Sequence, residues 1–322
     1  MIALASPASL KGVLTPLEAA AALAAGLRRV EGVEVEEAPV ADGGEGTAMV
    51  LERSLGGDWH HAAVSDPLGR RVTAWWLRLP DGTGVVECAA AVGLPRLKPD
   101  ELDPLRASSE GVGELILAAL ERGVGSLLVG VGGVATVDGG AGMRSVLGDA
   151  LRGVPVRVAC DVRNPLLGER GAARVFGPQK GADAAAVAEL EERLASLAEL
   201  EPYRDAPGAG AGGGLGAAFA ALGGELLPGA ELVLDRIGFD ERATGAALVV
   251  TGEGTVDATT LEGKAPGAVV ERCRRLGVRC ELFGGLVCDG VEAHALSGDP
   301  GKARDDLERL GQQLAEKVSD TL

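Results

Sequence analysis

The chain is poor in the residues that most often advertise a function. Three tryptophans, one tyrosine and four phenylalanines in 322 residues are too few aromatic faces for a base-stacking platform. Its 31 basic residues are set against 47 acidic ones, a formal charge of −16 that repels nucleic acid and anionic membrane surfaces. The three histidines (His60, His61, His294) lack metal-helix spacing, and Cys88, Cys160, Cys273, Cys280 and Cys288 form no C-x-x-C pair. Those absences argue against a zinc site or a disulfide framework and for buried free thiols. No run approaches the roughly 20 apolar residues that a membrane span needs, and MIALASPASLKG shows no basic leader. A cytoplasmic protein with neither membrane nor nucleic acid as partner is expected.

What is present is glycine, 50 residues of it, and enough apolar residues (46%) to build a large core. The length suggests two domains. Apolar strand-like runs recur, each followed by a glycine-bearing loop and a helical pattern, which predicts an α/β architecture. Thr15-Pro16-Leu17-Glu18 carries a capping hydroxyl, a proline at the first helical position and a carboxylate three residues after the cap, so a helix is expected to start there. Residues 60–65, 71–79 and 83–89 are short β-rich runs joined by Asp66-Pro67-Leu68-Gly69 and Pro80-Asp81-Gly82, an antiparallel meander in a second domain. Helical patterns cover 110–122 and, through Val187, Leu190, Leu194 and Leu197, a later segment; a β-α-β unit runs through 266–276 to the strand at 279–283.

In an open parallel sheet the loops after the strands share one edge, which makes the loops at 6–12, 41–47, 132–140, 161–164 and 252–264 candidates for a single site. The usual phosphate loops are missing. No G-x-x-x-x-G-K-[ST] occurs, and the one G-x-G-x-x-G match, from Gly208 to Gly213, follows RDAP rather than a strand, so it reads as a packed turn. Only six of the basic residues are lysines, and Lys11, Lys180 and Lys264 fall in inferred loops where a compact ammonium can meet a phosphate. Asp42, Glu45, Asp138, Asp161, Glu253 and Asp257 are loop carboxylates of two possible kinds: caps of turns and helices, or holders of Mg²⁺ with one of them accepting a substrate proton.

The segments APVADGGEGT, GVGGVATVDGGAGM, ACDVRNPLLGERGAARVFGPQKGA, AGGGLGAAFAALGGEL and VVTGEGTVDATTLEGKAP resemble, in order, the signature segments of the type I bacterial glycerate kinases, over about residues 1 to 285. The resemblance implies a two-domain α/β fold: a flavodoxin-like parallel-sheet domain (1–42 and 150–322), an inserted mixed α/β domain compared to restriction endonucleases (43–149), and a cleft between them. It implies ATP- and Mg²⁺-dependent phosphorylation of D-glycerate or a similar hydroxy acid, commonly giving 2-phosphoglycerate; a homodimer is compatible with it. Carried onto these motifs, the catalytic set is Asp42, Asp161, Lys11 and Lys264, with Asp42 as first choice of base and Asp161 as second. Ser9, Glu45, Gly132, Gly133, Asp138, Asn164, Gln179, Lys180 and Glu253 become the substrate and nucleotide contacts, and Asp161 and Asp257 the Mg²⁺ ligands.

The chain departs from the family pattern at several polar positions. Ala8 stands for an aspartate, Val134 for a serine, Val137 for an asparagine, Val112 for a threonine, Thr255 for an arginine and Thr259 for a glutamine, and Val92 lies in the ASGL-like segment. Each valine is expected to remove a hydrogen-bond partner near ligand. A catalytically impaired relative that binds a small metabolite or acts as a regulator is therefore the alternative reading.

Overall fold

The computed structural model describes residues 1–320, apart from the side chain of Glu262. Its strands are β1 (Ile2–Ala5), β2 (Glu34–Glu37), β3 (Asp58–Ser65), β4 (Arg71–Arg78), β5 (Thr83–Glu87), β6 (Ser126–Gly130), β7 (Val156–Ala159), β8 (Glu225–Leu227), β9 (Leu248–Val256), β10 (Cys280–Val287) and β11 (His294–Ala295). They form two sheets in two compact units. No helix among the described residues is long and apolar enough to cross a membrane.

One unit comprises Met1–Asp42, Met49–Ser54 and Gly229–Leu322. Its sheet has the order β11-β10-β9-β1-β2, and every pairing is parallel. The helix Pro16–Leu27 starts where its sequence predicts: Thr15 Oγ1 accepts from the Glu18 N–H at 3.2 Å, and Glu18 Oε2 accepts from the Thr15 N–H at 2.9 Å. This helix lies against Ala303–Ser319 with backbones nearly touching. A Cβ on Gly26 would sit 1.9 Å from the Glu308 carbonyl oxygen, and one on Gly311 would sit 2.5 Å from that of Leu23. Leu307, Leu310, Leu314 and Val318, at helical spacing, fill the seam with Leu23 and Leu27. Each such leucine contributes roughly 1.5–3 kcal/mol by leaving water. β2 is an edge strand and reads Glu-Val-Glu-Glu, a charged edge that resists pairing with a second chain.

The other unit comprises Gly43–Ala48 and Leu55–Pro228. Its sheet order is β3-β4-β5-β6-β7-β8; the first three strands are the expected antiparallel meander, and β5 to β8 run parallel. The boundary differs from the sequence expectation. Residues 150–228 belong here because β7 pairs with β6 and β8, extending this sheet, so the chain returns to the first unit at Gly229 and not near 150. The core is built from Trp76, Val86, Val129 and Val158 on the strands and from Val112, Leu115, Ile116 and Ala119 on the helix Glu110–Glu121. The expected amphipathic helix spans Ala184–Ala195. Of the thiols, Cys88, Cys160 and Cys273 are buried, Cys280 is half-buried and Cys288 is exposed, which limits the buried-thiol expectation to three.

Candidate functional site

In the first unit, β9 and β10 outrun their neighbours and carry the site. Glu253 lies inside β9, not in a loop, because the ladder to β10 continues through Glu253↔Gly284 to Val256↔Val287. Two glycines allow the strand ends to close up: a Cβ on Gly252 would sit 2.2 Å from the Phe283 carbonyl oxygen, and one on Gly285 2.6 Å from that of Gly254. Beyond β9, Asp257 opens a short turn. Its Oδ1 accepts from the Thr260 N–H at 3.1 Å and the Thr259 hydroxyl at 2.5 Å, while Thr260 Oγ1 bonds Glu253 Oε1 at 2.7 Å. The Thr259 hydroxyl, helped by the Lys264 ammonium, holds the Asp257 carboxyl below the usual carboxylate range.

Lys264 occupies the N-cap position of the helix Ala265–Leu276, which has no side-chain cap hydrogen bond, so the positive helix end adds to its ammonium. Its Nζ stands 3.6 Å from Glu253 Oε1 and 3.8 Å from Asp257 Oδ1. Lys11 reaches the same place from the loop after β1, where paired backbone bonds between Leu10 and Leu14 close a tight turn. Among the described residues no carboxylate lies within ion-pair distance of Lys11. Lys11, Glu253, Asp257 and Lys264 line one cavity of ≈ 330 Å³, together with Leu10, Val13, Thr255, Leu286 and the segment from Leu296 to Asp306. The helix Pro16–Leu27 cannot add an anion site, since its first turn is closed by its own Thr15–Glu18 box. Ser9 lies half-buried in this unit, and Asp42, partly buried, is the last residue before the chain enters the other unit.

In the second unit, the glycines around Glu45 and the 130–133 segment are explained by close approach. A Cβ on Gly130 would lie 2.1 Å from the Gly43 carbonyl oxygen, and one on Gly132 3.2 Å from Gly44 Cα. The two loops therefore touch backbone to backbone, leaving Glu45, Gly132 and Gly133 exposed. Thr47 Oγ1 bonds both the Gly43 N–H and the Gly44 carbonyl, at 3.1 and 2.8 Å. Glu87, which sequence reasoning missed, anchors this turn: its carboxylate accepts from the Ala48 N–H at 2.7 Å and the Gly46 N–H at 3.4 Å. Burial pushes its pKa up to about 7 against those bonds. The one signal in the sequence was an acidic residue closing the apolar run of β5.

Asp138 is engaged as a cap. It accepts from the Ser109 N–H and hydroxyl at 2.9 and 2.7 Å and from the N–H groups of Gly140 and Gly142, both at 3.1 Å. Lys180 is 3% exposed, and its Nζ donates to the Thr136 carbonyl at 2.8 Å. Burial pulls its pKa down to about 7, with the Asp138 charge opposing the drop. The Asn164 amide bonds the Arg170 carbonyl at 2.7 Å; Asp161 is half-buried and Gln179 exposed. Gly212, Gly213 and Gly214 all take left-handed conformations (φ 59, 71 and 99°) and pack on the 131–139 loop, where a Cβ on Gly213 would meet the Thr136 carbonyl oxygen at 1.9 Å. This turn follows no strand, as expected of the G-x-G-x-x-G match.

The valine departures are core positions. Val92, Val112, Val134 and Val137 are all buried in the core of the second unit, at 0, 0, 2 and 1% exposure. They place apolar groups in packing. Thr255 does line the first unit's cavity, and Thr259 orders Asp257. Among the described residues no three His, Cys, Asp or Glu side chains gather as a metal cage.

The model of the glycerate kinase family matches residues 3–153 and 145–299. The chain is 40% identical to the glycerate 2-kinase of Escherichia coli K12 over 309 residues, covering 84% of this chain and 81% of that one. It is 38% identical to the glycerate kinase of Halalkalibacterium halodurans over 327 residues, 89% of this chain and 86% of the other. A crystal structure from Salmonella typhimurium LT2, described as a candidate glycerate kinase 2, superposes with a TM-score of 0.85 at 33% identity, covering 100% of this chain and 99% of that one.

Proposed function

Because this chain belongs to the glycerate kinase family, we propose that it transfers a phosphoryl group from ATP to a hydroxyl of D-glycerate, with 2-phosphoglycerate as the expected product. The observation that carries the reading is the cavity where Lys11 and Lys264 meet Glu253 and Asp257. Phosphoryl transfer spreads negative charge over the moving group, so a chain of net charge −16 needs local cations, and these two lysines supply them. Lys11 is exposed, and Lys264 sits at hydrogen-bond length from neither of its acidic neighbours, so both ammonium groups can turn to a polyphosphate.

Mg²⁺ fits the donor set. Glu253 and Asp257 both line the cavity beside the two lysines, and one or two carboxylates with substrate phosphates are a common Mg²⁺ environment. The ion would neutralise phosphate charge there. The acceptor hydroxyl gives its proton to Asp42 in this scheme, with Asp161 as the second candidate. In the other unit Lys180 and Asp138 hold the 132–142 loop in shape, and Glu87 does the same for the turn bearing Glu45.

The buried positions of the four valines favour the active kinase over an impaired relative. The test is glycerate- and Mg²⁺-dependent release of ADP from ATP by purified protein. Lys11→Ala and Lys264→Ala are each expected to lower turnover roughly tenfold or more. Wild-type rates in both variants would discard their role, and an Asp42→Asn protein with full turnover would remove Asp42 as base. Ligand-induced thermal stabilisation without any turnover would favour the impaired relative instead.

A further inference from the structure

Resting on the nucleotide reading above, we infer that the first unit's cavity has a charged part for the polyphosphate and an apolar part for the nucleobase, and that the apolar part holds the base by its faces without discriminating adenine from guanine. The charged residues that face the polyphosphate sit along the end of β9, at the start of the helix Ala265–Leu276 and, with Lys11, in the loop after β1. The open apolar ones are Val13, two residues after Lys11, Leu286 from the end of β10, and Leu296 and Pro300 from the segment that follows. Leu286 and that segment are neighbours, since a Cβ on Gly298 would sit 3.5 Å from Leu286 Cδ2.

Leu286, at 59%, is the most exposed large hydrophobic residue among those described, and Val13 is 38% exposed. Two open aliphatic side chains beside a pair of lysines suit a ligand that is flat and apolar at one end and anionic at the other. The acids on this wall are already occupied. Asp306 accepts from the Ser297 N–H at 3.1 Å and from the Ser297 hydroxyl, and meets Arg309 at 3.2 Å. Asp299 accepts from the Gly301 N–H at 2.9 Å and pairs with Lys302. The open polar side chain opposite Leu286 is Thr255, paired with it in register. A hydroxyl both donates and accepts, so it serves a 6-amino and a 6-oxo purine edge alike. A site that rejects a base needs a fixed donor or acceptor left unpaired by the wrong one, and among the described residues no side chain of the apolar part provides it.

The experiment measures kcat/KM for ATP and GTP with D-glycerate and Mg²⁺ in the wild type, Leu286→Ser and Val13→Ser. The expected result is GTP within about tenfold of ATP, and a KM for both nucleotides raised about tenfold in Leu286→Ser, with a smaller change in kcat. Inhibition by inorganic tripolyphosphate, which has no base, should be equal in wild type and variant. Val13→Ser is expected to act in the same direction, and serves should Leu286→Ser fold poorly. GTP use below one-hundredth that of ATP, roughly the scale of a fixed hydrogen-bond reader, overturns the inference while leaving the kinase reading intact. Unchanged nucleotide KM in both variants does the same. Absence of turnover with every nucleotide overturns the reading on which the inference rests.

Discussion

Lys264 Nζ stands 3.6 Å from Glu253 Oε1, inside ion-pair reach but beyond hydrogen-bond length. The lysine side chain is 34% exposed, and a loose, solvent-facing pair of this kind adds little to folding stability. Replacing it should therefore separate function from structure. Lys264→Ala is expected to lower kcat/KM for ATP roughly tenfold or more while moving the melting temperature by no more than ~2 °C. Steady-state kinetics beside thermal unfolding checks this; a large drop in melting temperature with unchanged kinetics would make Lys264 a structural residue.

The buried Lys180 gives a pH signature. Its folded pKa, about 7, lies below the ordinary lysine value of 10.5, so between these limits the unfolded chain binds more protons than the folded one. The sign follows: wild-type stability gains from this group as pH rises from 7 toward 10.5, and loses as pH falls toward 7. Lys180→Met removes the effect. Its stability relative to wild type should decline with rising pH across that window, by up to about 1.4 kcal/mol per pH unit. Urea unfolding of both proteins at pH 7, 8.5 and 10 measures it, and parallel pH profiles would show that the amine is solvated.

The core valines can be tested by restoring the polar residues of the family pattern. Val137→Asn introduces an amide at a position 1% exposed, in an apolar cluster. We expect a loss of about 1–3 kcal/mol in stability and no gain in glycerate-dependent turnover. A variant with higher activity and unimpaired stability would mean that Val137 had removed a working contact.

Local chemistry was the legible part of this fold. Thr15, Pro16 and Glu18 announced a helix start because a capping box is closed within four residues, and Asp66-Pro67-Leu68-Gly69 announced a hairpin for the same reason. Partner choice between strands was not legible. The run Val156–Ala159 reads equally well as a strand of either sheet, and its pairing with β6 and β8 moved the unit boundary to Gly229. The helix Ala303–Ser319 does carry an apolar stripe, but it lies where the family motifs end.

The candidate site divides in the same way. Lys11, Lys264 and Asp257 were found from residue type and loop position, and the cavity does gather them. Glu253 was read as part of the loop at 252–264, yet pairing of β9 with β10 holds it in a strand. Glu87 gave almost no sequence signal, since its importance lies in the distant N–H groups of Gly46 and Ala48. Val134 and Val137 looked like lost contacts because motif position does not reveal which way a side chain packs.

The central claim is that the cavity lined by Lys11, Glu253, Asp257 and Lys264 holds the polyphosphate of ATP. Calorimetric titration of Mg²⁺–ADP into the wild type and a Lys11→Ala/Lys264→Ala double variant tests it most directly. The account predicts binding weakened by about tenfold or more in a variant that melts normally. Equal affinity in the two proteins would contradict it.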